Sequence, residues 1–316
     1  MLTRRTILAA ACSLSAPALA SNQNDLTLVV PAAAGGSSDA TARILSSHFS
    51  MQGTQSSVLN RSAGAGVEGT MYVLRSQSNS GLLLVGGPNG LFLAPARERL
   101  PYTANDFDPI CMFSVAAFGI AIRSGRESTL AELLDRARTR PIAVGTGESP
   151  AHFLIDRLFK SRGSNLIHVP YRGGGDATRD LMAGVIDAVY VSVASFAGLA
   201  QSGDVRILAH TMQGGGLIPS FPEVPHVYDA LSGERDPTLV SYHYHGLYAP
   251  KGMAMNIKAN ISASVQAACA DHKFITDHQI RGMTSRYLGT QELIAYHEEV
   301  RKGLVDPYAA WLRRST

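Results

Sequence analysis

The sequence predicts an α/β protein built from two lobes. Three observations carry this. Apolar strand-like runs alternate with stretches of helical periodicity along most of the chain. Successive strand ends run into turns rich in Gly, Ser, Thr or Asn that open helices. Two long apolar stretches, Ile110 to Ile122 and Leu239 to Ala249, suit segments that leave the first lobe and return to it. Such alternation favours largely parallel sheets.

The N-terminus reads as a signal peptide over residues 1–20: Arg4 and Arg5 precede an apolar run from Ile7 that ends in Ala18-Leu19-Ala20, a small-x-small cleavage pattern. The run is broken by Ser13, Ser15 and Pro17 and falls short of the roughly 20 apolar residues a bilayer-spanning helix needs. A twin-arginine and an ordinary secretory signal both fit, so the route is open and the destination is the periplasm. Setting Arg4 and Arg5 aside takes 28 basic residues to 26 against 25 acidic ones. A nearly neutral chain with no basic run gives no sign of a nucleic-acid partner. Of three cysteines, Cys111 and Cys269 follow the signal, either bonded to each other or buried as free thiols.

Leu26 to Val30 reads as the first strand, Gly35 to Asp39 as a turn with a cap, and Ala40 to Phe49 as a helix. Ser56 to Leu59 and Leu82 to Val85 are strands that run into Gly64-Ala65-Gly66 and Gly86-Gly87-Pro88-Asn89-Gly90. The chain crosses near Phe118. Beyond it, Ile142 to Val144 leads into a Gly145 turn and a helix from Ala151, and Ile167 to Pro170 into Tyr171-Arg172-Gly173 and a helix from Asp176. Val185 to Val191 is a strand ending at Ser192. Helices near 259–271 and 291–312 are expected to pack on the first lobe. The division is therefore 21–118 plus 245–316 for lobe one and 119–244 for lobe two.

Ligands of doubly wound sheets bind at the carboxyl ends of strands, and a helix N-terminus there offers unpaired N–H groups and partial positive charge to an anion. Ala34, Gly35, Gly36 and Ser37 on one side, with Gly145, Thr146, Ser149 and His152 on the other, are thus candidates to hold a carboxylate. Asn89, Arg172 and Ser192 are candidates to contact the rest of the molecule. Asp39 reads as a capping group. The chain lacks a Walker Gly-Lys-Ser/Thr, a Gly-x-Ser-x-Gly elbow and a His-Glu-x-x-His, so no catalytic residue, cofactor or metal is assigned. His243-x-His245 could face one side of a strand as a metal pair, but packing is the simpler role.

Several motifs are similar to those of a known family. Pro31-Ala-Ala-Ala-Gly35-Gly36-Ser37-Ser38-Asp39-Ala-Thr-Ala42-Arg43 resembles the Pro-x-x-x-Gly-Gly-Ser/Thr-x-Asp-x-x-Ala-Arg of the receptors of tripartite tricarboxylate transporters, the TctC or Bug family. Asn60-Arg61, Asn89-Gly90, His168-Val-Pro-Tyr-Arg-Gly173, Asp180-Leu-Met-Ala-Gly184-Val-Ile-Asp187 and Gly246-Leu-Tyr-Ala-Pro250 extend the likeness. The resemblance implies a type II-like periplasmic binding protein with two crossover strands, a monomer that grips an organic carboxylate between the Gly35-Gly36 and Gly145 loops and presents itself to permease subunits. Three departures stand out. Ala32 replaces the family's usual aromatic residue, the Gly145 to His152 segment is two residues shorter, and Ser241-Tyr-His-Tyr-His245 replaces a segment with tryptophan. Two other readings stay open: a sensing subunit for a membrane kinase, and an exported serine hydrolase using Ser149 or Ser192.

Overall fold

A computed structural model describes residues 25–147, 151–213, 217–231, 236, 239–241 and 243–315. The expected signal segment at 1–20 and Ser149 lie outside them. Eleven named strands occur in chain order: β1 (Leu26–Val30), β2 (Ser56–Asn60), β3 (Leu82–Gly86), β4 (Phe107–Ala116), β5 (Phe118–Arg123), β6 (Ile142–Thr146), β7 (Leu166–Pro170), β8 (Ala188–Ser192), β9 (Val205–His210), β10 (Tyr244–Pro250) and β11 (Met283–Leu288).

They form two sheets, β11-β4-β10-β3-β1-β2 and β7-β6-β8-β5-β9. The β2, β1 and β3 strands run parallel, as do β7, β6 and β8, while the strands at and beyond the crossings pair antiparallel. The sequence reason is visible in β1 and β3, whose Leu- and Val-rich runs, interrupted only by Thr27, suit strands covered on both faces. Helices cover both faces of each sheet, and two apolar clusters flank each one.

The expected single strand from Ile110 to Ile122 is two, β4 and β5, which change sheets at Ala117. There the Ala117 carbonyl accepts from the Val193 N–H in the second sheet's lobe. The return passes through Ser241 and His243: the Ser241 N–H donates to Thr211 at 2.7 Å, and the His243 carbonyl accepts from Ala116 at 2.9 Å, so β10 proper begins only at Tyr244.

The C-terminal segment departs from expectation. The helix Thr290–Val300 packs on the first sheet, but a π-helical turn at Arg301–Val305 redirects the chain and the helix Asp306–Ser315 crosses to the second. Leu304 and Tyr308 are buried in the second sheet's core, the Tyr308 ring meets Phe153 edge-on at 5.7 Å, and Trp311 Nε1 donates to Asp156 at 3.3 Å. Gly303 within that turn, a poor helix former, coincides with the break. Cys111 and Cys269 are both free; Cys111 is buried, and burial raises both thiols.

Candidate functional site

The first strand-end loop is built to leave backbone donors open. Helix Ser37–Met51 starts three residues earlier than the sequence pattern indicates, with Gly36 as its N-cap and no side chain capping it. Gly35 has φ +88°, a left-handed conformation that glycine adopts without strain. The N–H groups of Gly36, Ser37 and Ser38 find no acceptor among the described residues, whereas the Gly35 N–H is taken by Asp39 at 3.0 Å. Asn60 Nδ2 donates to the Ala32 carbonyl at 3.2 Å and pins the loop to β2.

Asp39 therefore lies in the first helical turn rather than at the cap, where its charge would repel an anion. Arg43 cancels it. The guanidinium sits 2.9 Å from the Asp39 carboxylate. Burial works to raise this carboxyl, but the hydrogen bonds from Arg43 and Gly35 outweigh it and hold the group below its usual range. The positive end of the helix stays available.

Facing this loop is the second sheet's edge. A methyl group placed on Gly173 would lie 3.7 Å from Ala33 Cβ, and one on Gly147 would lie 3.8 Å from the Gly174 nitrogen, so the Gly147 and Gly173 turns come together opposite Ala33. The Gly173 turn is thus the closer counterpart to Ala34–Ser37. Between the strand ends of the first sheet and the return segment lies a cavity of about 50 Å³, lined by Pro31, Ala32, Ser38, Gly66, Asn89 and His243 among others. A smaller one of about 10 Å³ adjoins Asn89, Phe118, Ala151 and His243, reaching both lobes. Two larger hollows of about 690 Å³ lie elsewhere, and none of the candidate residues lines either.

The candidates divide on this geometry. Ala34 and Gly35 are exposed at the loop tip, Gly36 and Ser37 form the helix start, and Asn89 lies in the cavity wall. Ser192 ends β8 opposite Phe118, 5% exposed, and its hydroxyl has no hydrogen-bond partner among the described residues. Among the described residues no general base hydrogen-bonds it. Arg172 is exposed without an ion pair among those residues.

Gly145 and Thr146 are not loop residues, because β6 runs two positions further than the pattern from Ile142 to Val144 indicates. Gly145 is buried in mid-sheet, where a methyl group would come within 2.5 Å of Ile186. Thr146 bonds the His168 ring nitrogen at 2.6 Å; His168 stacks on His152 at 3.8 Å, and His152 meets Trp311 edge-on. Burial pushes His168 down to about 4 and lowers His152, so this column is neutral above mildly acidic pH. It props the Gly147 turn from behind.

His243 is the residue that sequence reasoning weighed as half of a metal pair or a packing group, not as a ligand contact. Its Nε2 lies 3.2 Å from Ser37 Oγ and its ring 4.7 Å from Phe118, at the junction of both cavities. His245 stands edge-on at 5.1 Å, and no three metal-ligating groups cluster among the described residues. The usable signal was position: His243 falls at the end of the return segment.

A profile described as the tripartite tricarboxylate transporter family receptor matches residues 41–304. The chain belongs to this family of receptors. A protein encoded in the tcbD-tcbE intergenic region of Pseudomonas sp. strain P51 is 30% identical over 253 residues, spanning 78% of this chain and 74% of the relative. BugT of Bordetella pertussis is 25% identical over 298 residues, covering 90% and 86%. Among solved structures, the periplasmic binding protein BugD superposes with a TM-score of 0.75 at 26% identity, covering 92% of this receptor and 97% of that chain. A structure described as a periplasmic transporter reaches a TM-score of 0.81 at 22% identity, covering 92% and 97%, and shares the fold. No helix of the receptor's described residues is long and apolar enough to cross a membrane.

Proposed function

We propose that this receptor works in the periplasm, where its two lobes close around a small organic carboxylate and deliver it to the membrane subunits of a tripartite tricarboxylate-type transporter. The observation that carries the reading is the open set of N–H groups at Gly36, Ser37 and Ser38, at the positive end of a 15-residue helix, directly across from the Gly173 turn. An anion there gains charge-assisted hydrogen bonds from backbone fixed in advance. Family neighbours fit this. Rpa4515 of R. palustris is described with adipate and MatC of Rhodopseudomonas palustris with bound malate.

Four parts of the chain take separate roles. The Ala34–Ser37 backbone anchors the carboxylate, and Arg43 protects the anchor by holding Asp39. Asn89, Ser192 and His243 contact the remainder of the ligand. The segments at Ala117 and 239–243 act as the hinge, and a signal peptide over 1–20 directs export. The division is 21–118 with 245 onward for one lobe and 119–244 for the other, with the Asp306–Ser315 helix as a clasp on the second.

A thermal-shift panel of mono-, di- and tricarboxylates, aromatic acids and amino acids at neutral pH tests this. A carboxylate at a hundredfold excess over its Kd stabilises by about 2.7 kcal/mol, which raises Tm by about 5–10 °C in a chain of this size. Absence of any shift at millimolar concentration across the panel refutes it.

A further inference from the structure

We infer that the inner end of the bound ligand is uncharged: the receptor takes a short monocarboxylate that carries a hydroxyl, oxo or amide group three to five atoms into the cavity. This rests on the carboxylate anchor proposed above and concerns what lies beyond it.

The cavity behind the Ala34–Ser37 loop offers no cationic side chain to a second charge. Among the described residues that line it there is no lysine or arginine. A second helix, Val67–Leu74, starts at its wall, but its leading donors from Gly66 to Glu68 are already used. The Gly66 N–H bonds the Ser62 and Ala63 carbonyls, the Val67 N–H bonds Gly64, and the Glu68 N–H bonds Ala63, all within 3.3 Å. Glu68 in its first turn adds negative charge, which Arg61 pairs. This terminus therefore offers an anion less than the Ser37 helix does.

The side chains that remain are neutral. Thr70 donates its hydroxyl to the Gly66 carbonyl at 3.0 Å, and the Tyr244 hydroxyl is engaged with Tyr248 at 3.0 Å. Ser38 and Asn89 make no side-chain hydrogen bond among the described residues, and His243 touches the cavity beside Ser37. A hydroxyl, an amide and an imidazole satisfy an uncharged polar group well and leave a carboxylate under-solvated. Burial keeps the His243 ring neutral, pushed down to about 4, so it supplies no cation near neutral pH. Size agrees with this. A volume of about 50 Å³ has room for only about three to five water-sized groups at 10–15 Å³ each.

Succinate and succinamate separate the alternatives, since they match in shape and differ in whether the far end is a carboxylate or an amide. Isothermal titration at pH 7.5 with the full mature chain should give succinamate at least a tenfold lower Kd than succinate, with 3-hydroxybutyrate and 4-oxopentanoate ahead of adipate and citrate. Equal or tighter binding of succinate, or dicarboxylates leading the panel, overturns the inference and leaves the carboxylate anchor standing. No binding by any carboxylate overturns both. His243→Leu and Asn89→Leu, each checked for an unchanged circular-dichroism spectrum, should each bring the succinamate-to-succinate ratio to within threefold of one. An unchanged ratio in both variants also counts against the assignment.

Discussion

Behind the cavity sits a side chain that the fold tolerates at a cost, and removing it gives a quantitative test of the packing described here. His245 is 2% exposed in β10, opposite Ser114 in β4, and neither of its ring nitrogens has a hydrogen-bond partner among the described residues. A buried donor or acceptor left unmade costs about 1–3 kcal/mol, so His245→Phe, which keeps the ring and discards both polar atoms, should stabilise the protein by about that amount at pH 7.5. The corresponding rise in Tm is about 2–4 °C per kcal/mol. A second signature separates this from simple cavity filling. Burial, reinforced by the neighbouring His243 and His278, drives the His245 ring well below its ordinary value of 6.5, so the folded state refuses a proton that the unfolded state accepts. The wild type is therefore penalised as pH falls below 6.5, by about 2 kcal/mol at pH 5, and the advantage of the Phe variant should widen by that much. Thermal melts followed by circular dichroism at pH 7.5 and pH 5 measure both. A loss of more than about 1 kcal/mol at pH 7.5, or a difference that does not grow with acid, refutes an unpartnered buried imidazole.

Other outcomes follow from the same geometry. His210 and His278, 1% and 0% exposed, are pushed by burial down to about 4, so their contribution is intact above pH 6.5 and lost as pH falls from 6.5 towards 4. That is on the order of 3 kcal/mol each, read as a falling urea midpoint across that window. Gly66→Ala should be severely destabilising, because Gly66 has φ +90° and a methyl group would stand 2.2 Å from the Pro31 carbonyl oxygen; retention of wild-type Tm contradicts the local backbone. Trp311→Ala should cost about 2–4 kcal/mol by emptying the contacts with Phe153, His152 and Asp156. If the C-terminal helix did not clasp the second sheet, that change would be nearly silent. Arg43→Met should leave folding largely intact and weaken carboxylate binding several-fold by freeing the Asp39 charge, an effect that added salt reduces.

Much of the architecture is legible because each buried strand announces itself. The apolar runs at Leu26–Val30 and Leu82–Gly86 have no competing helical reading, and the glycines after them mark where helices begin. Ser37, Asn89 and the Gly35-Gly36 turn follow directly from that pattern. Boundaries fared less well where local chemistry is ambiguous. Val144 gives no sign that β6 continues through Gly145 and Thr146, since glycine in a strand pairs like any other residue and only the Ile186 side chain above it demands one. The helix Leu130–Thr139 has a readable start, with Thr129 accepting from the Glu132 N–H at 3.2 Å, and the sequence reading passed over it. The Asp306–Ser315 helix could not be assigned to a lobe from its own periodicity, because an amphipathic face packs equally well on either sheet. His243 was hidden for a similar reason: its importance comes from the return crossing, which is a property of the two sheets together.

The central claim is that backbone N–H groups at the start of the Ser37–Met51 helix hold the ligand's carboxylate, and one substitution isolates them. Ser37 is the first helical residue, a place where proline is tolerated, and Gly36 before it is already extended at φ −85° and ψ 176°. Ser37→Pro removes one N–H and the hydroxyl, while Ser37→Ala removes the hydroxyl alone. Titration calorimetry with the tightest-binding member of malate, adipate and succinamate should show Ser37→Ala within a few-fold of wild type and Ser37→Pro weaker by a further tenfold or more. Equal affinities for the two variants would contradict the claim.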